Sequence, residues 1–167
     1  MTPVASAFDT LIQCVADRIR DSGYKRNRQD LRRLVGGNAS IMSFQRSDQS
    51  TAQAIVLTVN LGIVVGRLLD PQRDGIDGAK VYDAHFRCRL GSLLPIPTDQ
   101  WWTLTAATDV EALSTTLVDL LLTLAIPTLH QYESDEALIN LWKSGRSPGL
   151  TEAQRKRYLV ELSRAAS

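Results

Sequence analysis

Apolar residues recur at helical spacing at the start of the chain, at every second position through its middle, and at helical spacing again towards its end. Val4, Phe8, Leu11, Ile12, Val15 and Ile19 share one helical face. Thr2 is placed to cap that helix, Pro3 fits its first turn and Gly23 ends it, so the spacing predicts an amphipathic helix from about residue 4 to 22. Residues 31–35 and 41–45 flank Gly36-Gly37-Asn38, a trio that tolerates the positive backbone angles of a tight hairpin. The β-branched run 54–65 predicts a third strand and residues 81–90 a fourth. Between them, Asp74-Gly75 and Asp77-Gly78 mark an exposed, mobile loop. Leu94-Pro95-Ile96-Pro97 excludes regular structure. Thr108-Asp109-Val110-Glu111 reads as a capping box that opens an apolar helix through Leu113, Leu117, Leu120, Leu121 and Leu124, which Pro127 breaks or kinks. A shorter helix, about 135–143, is capped by Ser134 and stopped at Gly145. Thr151-Glu152-Ala153-Gln154 is a second capping box, opening a last helix to about residue 165. Strands clustered between helices predict an α+β fold: an antiparallel meander of about four strands with helices packed against it, one domain over 1–167.

Alternation also sorts the polar residues. Ile55, Leu57, Val59, Leu61 and Ile63 share one side of the third strand, and Thr58, Asn60 and Gly62 share the other. The same parity turns Ala84, Phe86, Cys88 and Leu90 inward and His85, Arg87, Arg89 and Gly91 outward. Ser43 and Gln45 fall opposite Met42 and Phe44, although Ile41 shares the face of Ser43. Paired in sequence order, these strands bring Gln45, Asn60, Arg87 and Arg89 to one sheet surface. Two guanidiniums beside amides suit a carboxylate or phosphate, because Arg presents a planar fork to an anion. The competing reading is a solvated face, or Asn and Arg bonded to loop carbonyls. Trp101-Trp102 offers a stacking platform beside that surface, or else one of the pair plugs the edge of the core.

Several of these elements together resemble one family. Tyr24 after a helix-ending glycine, Phe44-Gln45-Arg46-Ser47, Thr58-Val59-Asn60-Leu61-Gly62, Asp83-Ala84-His85-Phe86-Arg87-Cys88-Arg89-Leu90-Gly91 and Trp101-Trp102 stand in an order similar to the bacterial family catalogued as domain of unknown function 4304. The resemblance covers about residues 8 to 130. It implies a single α+β domain and, as the family's name says, brings no activity and no catalytic residue.

Composition narrows the remaining possibilities. The chain's 167 residues, 44% of them hydrophobic, suffice for a domain that buries roughly 70% of its unfolded surface. Nineteen basic against eighteen acidic residues leave a net charge of +1, which argues against nucleic acid and anionic membrane as partners and requires any anion site to be local. No apolar leader opens the chain and no uninterrupted apolar run approaches the ~20 residues that span a bilayer, so the expected location is cytoplasmic. Cys14 and Cys88 lie on buried patterns and read as reduced, structural thiols. The basic run Lys25, Arg26, Arg28, Arg32 and Arg33 either binds phosphates or forms a charged edge strand that deters pairing. Arg155-Lys156-Arg157 poses the same choice.

Signatures of enzymatic chemistry are scarce. His85 and His130 supply no zinc set in metal spacing, and no Gly-rich phosphate loop, dinucleotide fingerprint or nucleophile elbow is present. No cofactor is implied. His85, outward beside Arg87, is the one candidate general base. Two function classes follow. The first is a non-catalytic binding module whose sheet face and Trp101-Trp102 loop hold a protein partner or a small anionic ligand. The second is an enzyme acting on a phosphorylated or carboxylated small molecule, with Arg87 and Arg89 as clamps and His85 as acid or base.

Overall fold

The Thr2 hydroxyl accepts from Ala5 N at 3.2 Å and Pro3 fills the first turn, which starts helix α1 (Pro3–Arg18). The structure is a computed structural model that describes residues 1–72 and 74–165. A short 3-10 turn, Arg20–Ser22, ends at Gly23 in the left-handed region. There follow β1 (Lys25–Asn27), β2 (Asp30–Val35), β3 (Asn38–Arg46) and β4 (Ala54–Val65). Gly36 and Gly37, at φ of 55° and 86°, make the turn between β2 and β3, a turn that side-chain-bearing residues resist. One-turn helix α2 (Gly75–Gly78) and a 3-10 turn at Val81–Asp83 precede β5 (Phe86–Arg89). After β6 (Trp102–Thr105) come α3 (Val110–Leu120), a π turn at Leu121–Ala125, α4 (Ile126–Tyr132), α5 (Asp135–Lys143) and α6 (Glu152–Ala165).

The fold is α+β. Its antiparallel sheet runs β1-β2-β3-β4-β5, and β6 pairs with the other half of the β4 edge that β5 uses. The expected strand positions hold for β2, β3 and β4, while the sheet gains two short members, β1 and β6. The proposed strand over 81–90 shortens to Phe86–Arg89. The Asp83 carboxylate accepts from Lys80 N at 2.8 Å, and such local bonding competes with a ladder. The first long helix is capped by Asp109, whose carboxylate accepts from Ala112 N at 3.0 Å, while Thr108 instead takes Thr105 N at 2.8 Å. The second capping box forms as expected, with Thr151 and Gln154 bonding each other's main chain reciprocally.

One face of the sheet carries Leu31, Met42, Phe44, Leu57, Val59, Leu61 and Ile63, all fully buried. Against it pack α1 and, from the later helices, Leu117, Leu121, Leu129, Leu138, Trp142 and Leu162. Each such side chain contributes roughly 1.5–3 kcal/mol by leaving water. Pro127 does not end its helix. Ile126 N reaches back to Leu121 O, and this widened turn absorbs the missing donor and the bulk of the proline ring. The helical run Val110–Tyr132 is therefore continuous over 23 residues, and by length and composition it is long and apolar enough to cross a membrane. Scattered Thr and two acids interrupt its apolar letters without interrupting the helix, and its Leu117, Leu121, Ala125 and Leu129 are buried in the core.

The opposite face is covered in part. Residues 75–84, expected as a mobile loop up to residue 80 and as strand from 81, form a strap whose Ile76, Ala79, Val81 and Ala84 pack on Ala39, Ile41 and Val64. Gly62 permits this approach, since a Cβ there would fall 2.7 Å from Ala84 Cβ. Ala84 thus belongs to the strap side rather than to the main core, because it precedes the strand whose parity was applied to it. Arg32 fastens the strap by donating to Ala79 O and, at 2.7 Å, to Ile76 O.

Candidate functional site

Where the strap ends, the sheet lies open. Register places Asp30 opposite Ser43, Ser43 opposite Asn60 and Asn60 opposite Arg89, so one row of polar side chains crosses four strands. Gln45, two residues beyond Ser43, lies diagonal to Asn60 and accepts from Asn60 Nδ2 at 2.7 Å. These residues floor a basin of about 750 Å³. Its walls are the β1–β2 turn with Arg28 and Gln29, the strap's Lys80 and Tyr82, and β5 with Arg87 and Arg89. The helices leave this face open because their buried side chains all join the core on the other side.

The basin concentrates positive charge. Four cations line it, Arg28, Lys80, Arg87 and Arg89, against one carboxylate, Asp30. Asp30 is already engaged, by the Ser43 hydroxyl at 2.6 Å and Lys80 Nζ at 3.7 Å. Arg89 is shared with Asp99 at 2.7 Å, and its guanidinium lies 5.1 Å from the centroid of the Trp101 ring. Hydrogen bonding from Trp101 and then from Arg89 holds the Asp99 carboxyl below the usual carboxylate range. Among the described residues, neither Arg28 nor Arg87 has a carboxylate partner; Arg87 reaches only Tyr82 O, at 3.5 Å. The Arg87 main chain is fixed from outside by its bond to Pro148 O at 3.0 Å and by Gly149, where a Cβ would fall 2.6 Å from Arg87 Cβ.

Of the residues singled out in the sequence, Gln45, Asn60, Arg87 and Arg89 meet at this basin. Trp101 stands behind Arg89 rather than in the lining. Trp102 pairs with Leu57 in β6 and packs against the main core, so of the pair it is Trp102 that plugs the core edge. The outward placement of His85 is corrected. His85 is 3% exposed, its Nδ1 accepts from Val65 N at 3.0 Å, and its ring meets Tyr158 of α6 edge-on at 4.8 Å. Burial pushes it down to about 4, which Asp83 opposes and Arg157 reinforces, so near neutral pH it is an uncharged acceptor of a main-chain bond. Cys88 is half-buried between basin and core, and burial raises its thiol to about 11, the range of an inert thiol.

The basic runs divide. Arg26 pairs with Asp9 and with Gln13, Arg32 with strap carbonyls, and Arg33 with Glu133 at 2.6 Å, so these three tie elements together. Arg155 bonds Trp142 O at 2.8 Å and Lys156 pairs with Glu152 at 3.1 Å. Arg28 alone of the first run faces the basin. It occupies the left-handed region at φ 57° in the two-residue turn between β1 and β2. Sequence reading named Arg28 in a run that could bind phosphates but did not bring it to this sheet face, and it missed Gln29, Asp30, Lys80 and Tyr82, because β1 is only three residues long and the strap was divided between a loop and a strand. The signal that was present is the Asn27-Arg28-Gln29-Asp30 run, a turn sequence inside the basic stretch.

No curated protein and no solved structure matches the chain. The arrangement of Asn60-Leu61-Gly62, Arg87 and Arg89 around the basin falls inside the stretch 15–131 that the family model covers, and the chain belongs to the family described as Domain of unknown function (DUF4304).

Proposed function

We propose that the protein is a binding module that takes a small anionic ligand in the basin on its polar sheet face. The observation that carries this reading is four cations lining a polar basin that holds one carboxylate, with Arg28 and Arg87 lacking carboxylate partners among the described residues. Guanidiniums left without a carboxylate inside a concave wall are the usual means of holding a phosphate or carboxylate, and a basin of about 750 Å³ lies within the range of small-molecule sites. An enzymatic reading draws little from this geometry: His85 lies outside the basin, buried and neutral, and Cys88 is held as a thiol.

The test is a thermal-shift series with inorganic phosphate, phosphate monoesters and small carboxylates on the wild type and on Arg87→Ala/Arg89→Ala. A ligand at a hundred times its Kd stabilises the fold by about 2.7 kcal/mol, a shift of several degrees at this size. We expect a shift in the wild type that the folded double variant loses. Equal shifts in both proteins, or none in the wild type with any anion, would overturn the reading.

A further inference from the structure

We infer that the basin's ligand is a 5′-mononucleotide, its phosphate held by the rim cations and the pairing edge of its base read by the Gln45 and Asn60 amides. This rests on the anion-binding reading above and adds the class of ligand. The floor supplies the first argument. The single bond between Asn60 and Gln45, 2.7 Å long, uses one NH₂ and one carbonyl. Whichever way the two amides are turned, that bond leaves one NH₂ and one carbonyl over, and both residues line the basin. Every nucleobase presents a neighbouring donor and acceptor on its pairing edge, and proteins that hold unpaired bases read that edge with such groups. A simple phosphate or carboxylate leaves the pair unused.

Charge supplies the second argument. Of the four lining cations, Lys80 is paired with Asp30 and Arg89 with Asp99, which leaves Arg28 and Arg87 without a carboxylate partner among the described residues. A phosphate monoester brings about −1.5 to −2 charges near neutral pH, where a carboxylate brings one. The rim supplies the third. Tyr82 lines the basin and its side chain is left largely in water, the residue being 71% exposed, while its main-chain carbonyl accepts from the Arg87 guanidinium at 3.5 Å. Bases stack on such rings irrespective of identity.

The experiment is calorimetric titration of the whole chain with AMP, GMP, CMP and UMP, and with ribose 5-phosphate and inorganic phosphate in the same buffer. It is repeated on Gln45→Ala and Tyr82→Ala. Tyr82 is exposed, so its variant keeps the fold and tests stacking alone. At least one mononucleotide should bind about tenfold more tightly than ribose 5-phosphate, and each variant should lose most of that margin while its affinity for ribose 5-phosphate changes by less than about twofold. Ribose 5-phosphate binding as tightly as every nucleotide would overturn the mononucleotide assignment and leave the anion basin standing. The same holds if the margin survives in both variants. No binding of any of these compounds by the wild type would overturn both.

Discussion

A histidine that accepts a main-chain hydrogen bond cannot take up a second proton without giving that bond away, and His85 is in this position, since its Nδ1 holds Val65 N at 3.0 Å. Its folded value, near 4, lies below the ordinary 6.5. The unfolded chain therefore binds a proton between about pH 6.5 and 4 that the folded chain refuses. The stability contributed by neutral His85 is complete above pH 6.5 and falls as the pH drops through that window, by about 3 kcal/mol in all. Denaturant titrations at pH 7 and pH 4.5 should show the wild type losing on the order of 2 kcal/mol more than His85→Gln, whose amide still accepts from Val65; parallel losses would show that His85 is not the group that titrates. At this scale the sequence was legible where a side chain's direction depends on its own strand. Gln45, Asn60, Arg87 and Arg89 obey the parity of β3, β4 and β5. His85 does not, because the strand begins one residue later and because Tyr158, which covers it, comes from a distant helix that no local pattern announces.

The element that most changes the reading is the strap. Its Asp-Gly pairs have the composition of an exposed loop, yet Ile76 and Ala79 pack on the sheet and Val81 and Ala84 sit where Gly62 leaves room. The guanidinium of Arg32 binds two of its carbonyls. Hydrogen bonds to a charged donor are worth roughly 1.5–3 kcal/mol, so Arg32→Met should cost about 2 kcal/mol in unfolding free energy. Opening should be local first: hydrogen exchange should accelerate over residues 76–84 while β3 and β4 keep their protection. Uniform acceleration across the sheet would show that the strap is not a separate unit. Long periodic elements were legible, β4 to the residue and α1 at its start, its expected last turn becoming the 3-10 turn at Arg20–Ser22. The elements that were not legible owe their existence to a neighbour. β1 and β6 have three and four residues, too few for alternation to register, and they are held by β2 and β4. The helical run through Pro127 survives because one turn widens, an adjustment that proline alone does not predict.

On the scale of the whole molecule, the two faces of the sheet are put to different uses. One is buried and carries the helices; the other is covered in part by the strap and opens beside it into a cationic basin, in a chain whose net charge is +1. The near-neutral total required any anion site to be local, and several basic residues away from the basin are held in ion pairs such as Arg33–Glu133 and Arg67–Asp135. What one-dimensional reading could not supply was the gathering of Arg28, Lys80, Arg87 and Arg89 from three separate elements. Like charges held together cost folding energy when no anion is bound, and salt screens that cost over a Debye length of about 10 Å at 0.1 M. Arg28→Ser/Arg87→Gln should therefore be more stable than the wild type at low ionic strength, by about 0.5–1 kcal/mol, and the two should converge as sodium chloride is raised to about 0.5 M. A variant less stable than the wild type at every salt concentration would mean that the cations support the fold, and that the basin is a structural surface rather than one kept charged for a ligand.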